Sequence, residues 1–361
     1  MSPGLATATG GPLYVERGGE IVFRQPFRAS GARMWCFVLQ GDGARIDAVY
    51  DRYVNSPSCG AEAMSGAGSR VILNFVDIAT LGSTDPEDSR LGTTAERECG
   101  LWVPGIDHRR DDRLVWTLPY LFVDSGWPMA TGRETYGFPK QLADIHLDGE
   151  GAAITRFAVD TMALRRFAPE AVAMRERVIE VRPCSDETGH SATTWKDPSE
   201  GRDRMRALCH PDENLACVSP RTRPSGSGPL LGAAEVGLAL FEALIGDWIT
   251  LVLLRQFRSC VDPRRASYSA VVEVSMVATD LRGGGLITDA HEVELADLDS
   301  EPIARELGLP AGPLRPELAF WIDFDFELTA ARELWLDAAG VVGRTRVPGA
   351  MNPTPSTGRR S

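Results

Sequence analysis

The chain has 361 residues, of which 43% are hydrophobic, so it can bury a substantial core in one large or two ordinary domains. Its 38 basic and 50 acidic side chains give a formal net charge of −12, which argues against nucleic acid or an anionic membrane as a partner. Residues 1–12 have neither the basic nor the apolar region of a secretory signal, so we expect a cytoplasmic protein.

The cysteines fit the same reducing compartment. There are seven, an odd number, and they are scattered along the chain without a compact framework. A group of potential zinc ligands lies in one polar stretch, at Cys184, His190, Cys209, His210 and Cys217, but no Cys-x-x-Cys pair anchors it. We therefore expect no metal and no other cofactor.

The first part of the chain predicts two buried strands and one helix. An apolar run at 34–39 is typical of a strand, and Asp42 is placed to cap the helix that follows. One face of that helix is apolar, because its apolar residues recur at helical spacing: Ile46, Val49, Tyr50 and Tyr53. A second buried strand is predicted at 71–79.

The central part predicts two further strands and then a bend. Residues 82–97 are polar and form a long connection, which places Glu98 at the start of the next strand. An apolar strand follows at 114–123. Gly137 and Pro139 both discourage regular strand pairing, so we expect Lys140 at a bend.

Beyond Lys140 the pattern changes from strands to a polar region. Short strands are predicted at 145–147, 154–164 and 178–181. Residues 183–229 are dominated by small polar, charged and proline residues, a composition that buries little. They predict a polar insert or flexible cover.

The C-terminal part predicts a buried helix, strands and a hairpin. The longest apolar stretch, 230–254, carries three acidic residues and favours a buried helix followed by a strand over a membrane span. The glycines at 283–285 predict the turn of a β-hairpin between strands at 268–280 and 286–295. We further expect a short helix at 300–308, an alternating strand at 320–327 and a helix at 329–338.

About ten short strands and few helices favour a mainly β structure of the α+β class, with an antiparallel sheet. No composition boundary divides the sequence into two domains. We expect one domain at 13–345, interrupted by the insert at 183–229, with flexible ends at 1–12 and 346–361.

Lysine is nearly absent from the chain. Only Lys140 and Lys196 occur, so 36 of the 38 basic side chains are arginine. An arginine guanidinium does not deprotonate in proteins and cannot act as an amine nucleophile, whereas a lysine can. Lys140 also lies between apolar residues that can desolvate an amine. These features favour a chemical role for Lys140. A lysine that has no chemical role and lies by chance at the end of a strand would show the same features.

Two segments resemble the acetoacetate decarboxylase family. Residues 132–144 read Gly-Arg-Glu-Thr-Tyr-Gly-Phe-Pro-Lys-Gln-Leu-Ala-Asp, which is similar to the family's lysine signature. Residues 98–104 read Glu-Cys-Gly-Leu-Trp-Val-Pro, which resembles the segment that carries an active-site glutamate. The resemblance covers residues 30–180 well and 248–338 loosely.

The resemblance implies a fold, an assembly and a site. The fold is a closed, cone-like β-barrel with a few peripheral helices, and the assembly is a homo-oligomer. Lys140 forms a Schiff base with a substrate ketone, and Glu98 orients the intermediate or relays its protons. We expect Arg33, Gln141 and Phe138 to bind the substrate, with Arg33 paired to its carboxylate.

Two departures from the family put the reaction itself in question. The family has a second lysine where this chain has Gln141, and the strand at 71–79 offers no second carboxylate, because Asp77 is off register. Since Gln141 is uncharged, we expect the pKa of Lys140 to be lowered mainly by Phe138, Pro139 and other apolar walls, or by a nearby arginine.

Three functions remain open at this point. The first is a Schiff-base lyase that decarboxylates a β-keto acid resembling acetoacetate. The second uses the same imine for aldol chemistry or dehydration of a larger oxo acid. The third is a module that has lost the chemistry and binds a small acid. We expect a small oxo acid as the ligand and neither nucleic acid nor a membrane as a partner.

Overall fold

The computed structural model describes residues 13–17, 21–149, 154–184, 192–209, 232–246 and 248–337. The ends that the sequence predicted to be flexible, 1–12 and 346–361, lie outside these ranges. His190, His210 and Cys217 of the Cys/His group lie outside them as well.

The described residues contain fourteen strands in one sheet and five α-helices. The strands are β1 Phe27–Gln40, β2 Met64–Gly66, β3 Arg70–Ser83, β4 Thr94–Asp107, β5 Arg113–Val123, β6 Lys140–Asp148, β7 Arg156–Ala163, β8 Met174–Pro183, β9 Ala192–Trp195, β10 Ile249–Arg258, β11 Ala266–Ile287, β12 His291–Leu295, β13 Leu318–Leu328 and β14 Arg332–Leu336. The helices are α1 Gly43–Tyr50, α2 Gly126–Thr131, α3 Pro198–Cys209, α4 Ala233–Gly246 and α5 Ile303–Leu307. The mainly β composition that the sequence predicted is confirmed.

The sheet is mixed, so the predicted antiparallel sheet is wrong in part. Its strand order is β12-β8-β7-β6-β5-β10-β11-β13-β1-β3-β4-β2, with β9 and β14 paired to β11. Most neighbours are antiparallel, but β5 pairs in parallel with both β6 and β10. A parallel pair needs a crossover between its strands, and α2 lies in the connection from β5 to β6.

Strand β5 occupies a branch point of the sheet. It also pairs with β4, so the pairings through β10, β11, β13, β1, β3 and β4 lead back to β5. The closed, cone-like barrel implied by the family resemblance stays a prediction.

The two faces of these strands support different parts of the core. Residues that lie opposite each other in antiparallel strands share a face, and successive residues alternate between faces. Face 1 carries Met34 and the opposite Val76, which belong to one buried cluster. Face 2 carries their neighbours Trp35 and Phe75, which belong to a second cluster.

Helix α1 has the predicted cap and apolar face. Asp42 is extended, and its carboxylate accepts a hydrogen bond of 3.0 Å from the backbone N–H of Arg45. Ile46, Val49 and Tyr50 are buried. This part of the prediction is confirmed.

The predicted hairpin at the glycines 283–285 is wrong. Strand β11 continues through all three, and β12 pairs with β8 instead. A Cβ atom on Gly284 would lie 2.6 Å from both Trp195 Nε1 and the Trp321 carbonyl oxygen. Close packing inside a strand, and not a turn, therefore accounts for this glycine.

The helix predicted at 329–338 is also wrong. Residues of β14 pair with β11, so backbone pairing with a neighbouring strand decides the local structure. Leu334 and Trp335 pack against the cluster of face 2.

Part of the polar region 183–229 is packed into the fold. Strand β9 pairs with β11, and the buried Trp195 meets Phe241 of α4 with ring centroids 5.6 Å apart. Met205 of α3 is fully buried. The composition of this region suggested little burial because its many polar residues outweigh these two large apolar ones in the sequence.

No helix in the described ranges is both long enough and apolar enough to cross a membrane.

Candidate active site

Lys140 is the first residue of β6 and follows a sharp bend. Helix α2 passes into a short π-helical turn, Gly132–Tyr136, and Gly137 then adopts a left-handed conformation with φ of 80°. A Cβ on Gly137 would lie 2.7 Å from the Cα of Arg255, so both conformation and space require glycine there. Arg133 donates a hydrogen bond of 3.0 Å to the Lys140 carbonyl oxygen, which fixes the backbone after the bend.

The side chain of Lys140 lies between two carboxylates of β4. Its Nζ is 2.7 Å from Glu96 Oε1 and 2.7 Å from Glu98 Oε1. These glutamates are two residues apart in a strand and therefore share one face. Val76 lies opposite Glu98, which assigns the pair to face 1. The exposed fractions of the Lys140, Glu96 and Glu98 side chains are 8%, 0% and 19%.

Burial and mutual charge shift the pKa values of this cluster. Burial acts to lower the pKa of Lys140, but attraction and hydrogen bonds from Glu96 and Glu98 outweigh it, and the net pKa is raised. Burial, reinforced by repulsion from Glu98, raises the pKa of Glu96 to about 8 despite the nearby lysine. The amine is therefore held as an ammonium at neutral pH, with a largely protonated Glu96 beside it.

This result corrects the predicted electrostatics of Lys140. The sequence predicted a pKa lowered by apolar walls, and apolar walls are present. However, the prediction did not include Glu96, whose carboxyl group accepts a hydrogen bond from Lys140 and joins Glu98 in raising its pKa.

A small cavity of about 40 Å³ adjoins Lys140. Its lining is mostly apolar and consists of Phe23, Phe27, Leu81, Thr94, Pro128, Thr131, Gly132, Tyr136, Phe138, Lys140 and Leu328. Lys140 is the only cationic side chain among them.

Phe138 lies at this site, as one wall of the cavity. It is buried, and Lys140 Nζ lies 5.8 Å from the centroid of its ring. An ammonium at this distance from an aromatic ring is attracted to it.

Arg33 does not lie beside Lys140. It pairs across the sheet with Asp77 and Asp323, and these residues lie on face 2, one position out of phase with Met34. Its Nη2 donates a hydrogen bond of 2.5 Å to Asp323 Oδ2, and its guanidinium stacks on Trp321. The guanidinium is thus engaged on the face opposite Glu96 and Glu98.

Gln141 is likewise directed away from the amine. It follows Lys140 in β6, so its side chain takes the opposite face. Its Nε2 donates a hydrogen bond of 3.3 Å to Thr161 Oγ1 on β7. The residue that stands where the family has a second lysine therefore supports the neighbouring strand.

Glu96 is the residue that sequence reasoning missed. Its Oε1 contacts the lysine, while its buried Oε2 has no hydrogen-bond partner among the described residues. The available signal was Glu96-x-Glu98, because alternate residues of a strand share a face. The sequence prediction ended the polar connection at residue 97 and so left Glu96 outside the strand.

Part of the chain matches the sequence model of a known family. The sequence model described as acetoacetate decarboxylase matches residues 78–169, a range that contains Glu96, Glu98 and Lys140 but not Arg33. No curated protein matches the chain by sequence.

Solved structures show the same fold. An acetoacetate decarboxylase from Legionella pneumophila is 12% identical with a TM-score of 0.53, and the match covers 91% of this chain and 94% of that one. A second acetoacetate decarboxylase structure is 12% identical with a TM-score of 0.50, covering 87% of this chain and 91% of that one. The resemblance to the acetoacetate decarboxylase family that the sequence predicted is therefore confirmed.

Proposed function

We propose that the protein is a Schiff-base lyase that decarboxylates a small β-keto acid at Lys140. One observation carries this proposal: a buried lysine that lines an apolar cavity holds its amine 2.7 Å from the carboxyl groups of Glu96 and Glu98. An amine nucleophile needs a partner to remove its proton, and the carbon chemistry that follows needs an acid. The cluster contains both.

The first stage forms the imine. Glu98 accepts a proton from the Lys140 ammonium, and the free amine attacks the substrate ketone to give a carbinolamine. Glu96, largely protonated because its pKa is about 8, donates the proton with which the hydroxyl leaves as water. The product is an iminium cation on Lys140 and a charged Glu96.

The second stage releases carbon dioxide. The bond between the carboxylate and the adjacent carbon breaks, and its electron pair moves into the iminium to give a neutral enamine. Glu98 returns its proton to that carbon, Glu96 takes a proton from the water that hydrolyses the new iminium, and Lys140 recovers one proton from solvent. One proton is consumed for each carbon dioxide released, as the overall reaction requires.

The cavity suits this chemistry and limits substrate size. No arginine is among the described residues that line it, so the cation on Lys140 alone offsets the charge of the substrate carboxylate. Loss of carbon dioxide removes that charge, and an apolar site favours the change. The volume of about 40 Å³ favours a small oxo acid over the larger one that aldol or dehydratase chemistry would use.

Borohydride reduction tests the proposal directly. The protein is incubated with a panel of 2-oxo and 3-oxo acids, reduced and analysed by intact mass and peptide mapping. A substrate-sized adduct on the Lys140 peptide is expected in the wild type and in Lys196→Arg, which removes the chain's other lysine. It is expected to be absent from Lys140→Arg.

Carbon dioxide release then separates the imine-dependent reactions. Adduct formation with release supports the decarboxylase, and adduct formation without release supports aldol or dehydratase chemistry. A folded wild-type protein that gives no adduct with any acid would refute the Schiff-base mechanism and favour a binding module.

The remaining expectations belong to the same proposal. The return of the strand pairings to β5 supports a closed, cone-like barrel. A cytoplasmic location fits the odd number of scattered cysteines, and a homo-oligomer is implied by the family resemblance alone. Light scattering of the purified protein tests its assembly.

A further inference from the structure

A second, larger cleft of about 200 Å³ lies between β5 and β10. These parallel strands pair at one position, Trp116 with Leu251, and residues that follow this pair in each strand line the cleft. The bend at 137–139 lines it as well. Phe138 is a wall of both this cleft and the smaller cavity, but Lys140 lines only the smaller one. The cleft is therefore a binding place outside the proposed Schiff-base site.

The cleft contains one cation that has no carboxylate partner. Among the described residues that line the cleft, Arg133 is the only charged one. Its Nη1 donates to the Lys140 carbonyl oxygen, while its Nε and Nη2 have no partner within the described ranges. The Nε–Nη2 edge of a guanidinium can bind a carboxylate through two parallel hydrogen bonds. An external carboxylate can therefore pair with Arg133 without breaking its bond to the backbone of Lys140.

Two hydroxyl groups of the lining also lack partners. Thr117 is 3% exposed, and its Oγ1 makes no hydrogen bond to any described residue. The same holds for the hydroxyl of the half-buried Tyr53, whose pKa is raised by burial, so it stays protonated at neutral pH. A buried hydroxyl without a partner is costly, and an oxygen atom of a ligand would supply the missing hydrogen bond.

The other walls of the cleft are mainly apolar and come from both strands and the bend: Leu118, Pro119, Phe138, Pro139, Leu253 and Leu254. Pockets for drug-sized ligands measure about 300–1,000 Å³, so this cleft fits a smaller molecule. Arg133 and Gln256 are exposed, so a ligand can enter from solvent.

We infer that this cleft binds a small monocarboxylic acid with an apolar body that carries a hydroxyl group. The carboxylate pairs with Arg133, and the hydroxyl group lies within reach of Thr117 and Tyr53. A second carboxylate would be partly buried without a cation, which is why the acid carries one charge. This inference does not depend on Schiff-base chemistry at Lys140 and stands or falls separately from it.

The class of ligand is tested by calorimetric titration with 3-(4-hydroxyphenyl)propanoate and the corresponding amide. The amide has nearly the same shape but no charge, so we expect it to bind at least about tenfold more weakly. Equal affinity would overturn the carboxylate class. No binding of the acid at about 10 mM would overturn the site itself.

Substitutions test the position of the acid. Arg133→Gln should weaken binding at least about tenfold, and the double variant Thr117→Val/Tyr53→Phe at least about threefold. Arg109→Gln is the matched control, because Arg109 is also exposed and donates one hydrogen bond of 3.0 Å to a backbone carbonyl oxygen, outside the cleft. Its affinity should equal that of the wild type. Wild-type affinity in Arg133→Gln or in the double variant would overturn the inference.

Lys140→Gln distinguishes the cleft from the smaller cavity. This change removes the cation of the smaller cavity but keeps the backbone carbonyl to which Arg133 donates. We expect the affinity for the acid to stay within about twofold of the wild type. A loss as large as that of Arg133→Gln would place the acid at Lys140 and overturn the inference. Circular dichroism verifies the fold of each variant, and the comparison of acid and amide needs no variant.

Discussion

Strand β4 carries charges on both faces, and the two faces use them differently. On face 1, Glu96 and Glu98 surround the buried Lys140. On face 2, Arg97 lies between those glutamates in sequence and pairs with Asp77, with Nε 3.3 Å from Oδ1. The row continues across the sheet through Arg33 and Asp323.

Exposure separates the two groups. The side chains in the face 2 row are between 22% and 46% exposed, and water screens such pairs so strongly that each contributes at most about 1 kcal/mol. On face 1, water is nearly excluded, and a lysine lies between two glutamates, one of which has a pKa raised to about 8. Burial therefore separates a cluster with a shifted pKa from a row of screened ion pairs, and its cation is a lysine, the residue type that can act as an amine nucleophile.

Replacing Glu96 should have the largest effect among these charges. Glu96→Gln keeps the size and a hydrogen-bond acceptor for Lys140 but cannot transfer a proton, so we expect kcat to fall by about 10²- to 10⁴-fold. Asp77→Asn makes the same chemical change on face 2 and should alter kcat by less than about threefold. Steady-state carbon dioxide release measures both, and similar losses in the two variants would remove the distinction between the faces.

Gly132→Ala should displace the lysine without changing any charge. A Cβ at residue 132 would lie 2.8 Å from Lys140 Cδ and 3.0 Å from Cε, so the flexible lysine side chain must move. A misplacement of this size can lower kcat by about 100-fold. Gly126→Ala is the control, because no heavy atom lies within 4 Å of its added Cβ. Full activity in Gly132→Ala would show that the lysine position tolerates this shift.

The pH profile should report the protonation of Glu96. Its folded-state pKa is raised to about 8, so the proton that the carbinolamine step needs is present below that pH and lost above it. We expect kcat/KM to fall about tenfold per pH unit above about pH 8. The residual activity of Glu96→Gln should not show this fall above pH 8. A wild-type profile that stays flat to pH 9.5 would contradict the role of Glu96 as the proton donor.

The same raised pKa predicts how stability depends on pH. A carboxyl with a raised folded-state pKa contributes stability that is fully present below its unfolded pKa and is lost as pH rises through the folded value. Between pH 5 and pH 9 the wild type should therefore lose stability relative to Glu96→Gln. Urea unfolding of both proteins at the two pH values measures this, and parallel changes would contradict it.

Arg33→Gln should have the smallest effect on catalysis. Its guanidinium is engaged with Asp323 on face 2, so we expect kcat/KM to change by less than about threefold and stability to fall by about 1 kcal/mol. A large rise in KM would restore the role of carboxylate partner that the sequence predicted for this residue. Arg97→Gln on the same face serves as the control.

Lys140 could be singled out from the sequence as the proposed nucleophile because two independent signals agree there. Lysine is scarce throughout the chain, and the residues around Lys140 follow a long motif. Glu98 was found by its own motif. The proximity of Glu98 to the lysine depends on the pairing of β4, β5 and β6, which local sequence does not specify.

The sequence does not show which face of the sheet the Arg33 side chain takes, because the part of β1 that follows it is apolar on both faces. Residues 34–39 contain no polar residue whose position would identify a solvent face. The register of β1 also shifts between Ala29 and Ala32, so counting from either end gives no reliable phase. Only the pairing with β3 and β13 settles which face the guanidinium takes.

The errors at β11 and β14 have a related cause. Gly283, Gly284 and Gly285 have the composition of a turn, but the side chains of Trp195 and the backbone at Trp321 occupy the space next to them. Trp195 is 88 positions earlier than Gly283 in the numbering of the chain. Contacts this distant in sequence override local turn and helix preferences.

The two lysines differ in exposure, so digestion with a lysine-specific protease can distinguish the folded protein from the unfolded protein. A lysine-specific protease can reach Lys196, which is exposed, while Lys140 is 7% exposed and held within the sheet. Cleavage after Lys140 therefore requires the chain to open, and its rate follows the population of the open form when closing is fast. A substrate reduced onto Lys140 would block that cut permanently, so one digestion could report both the folded state of the sheet around Lys140 and the occupancy of its amine.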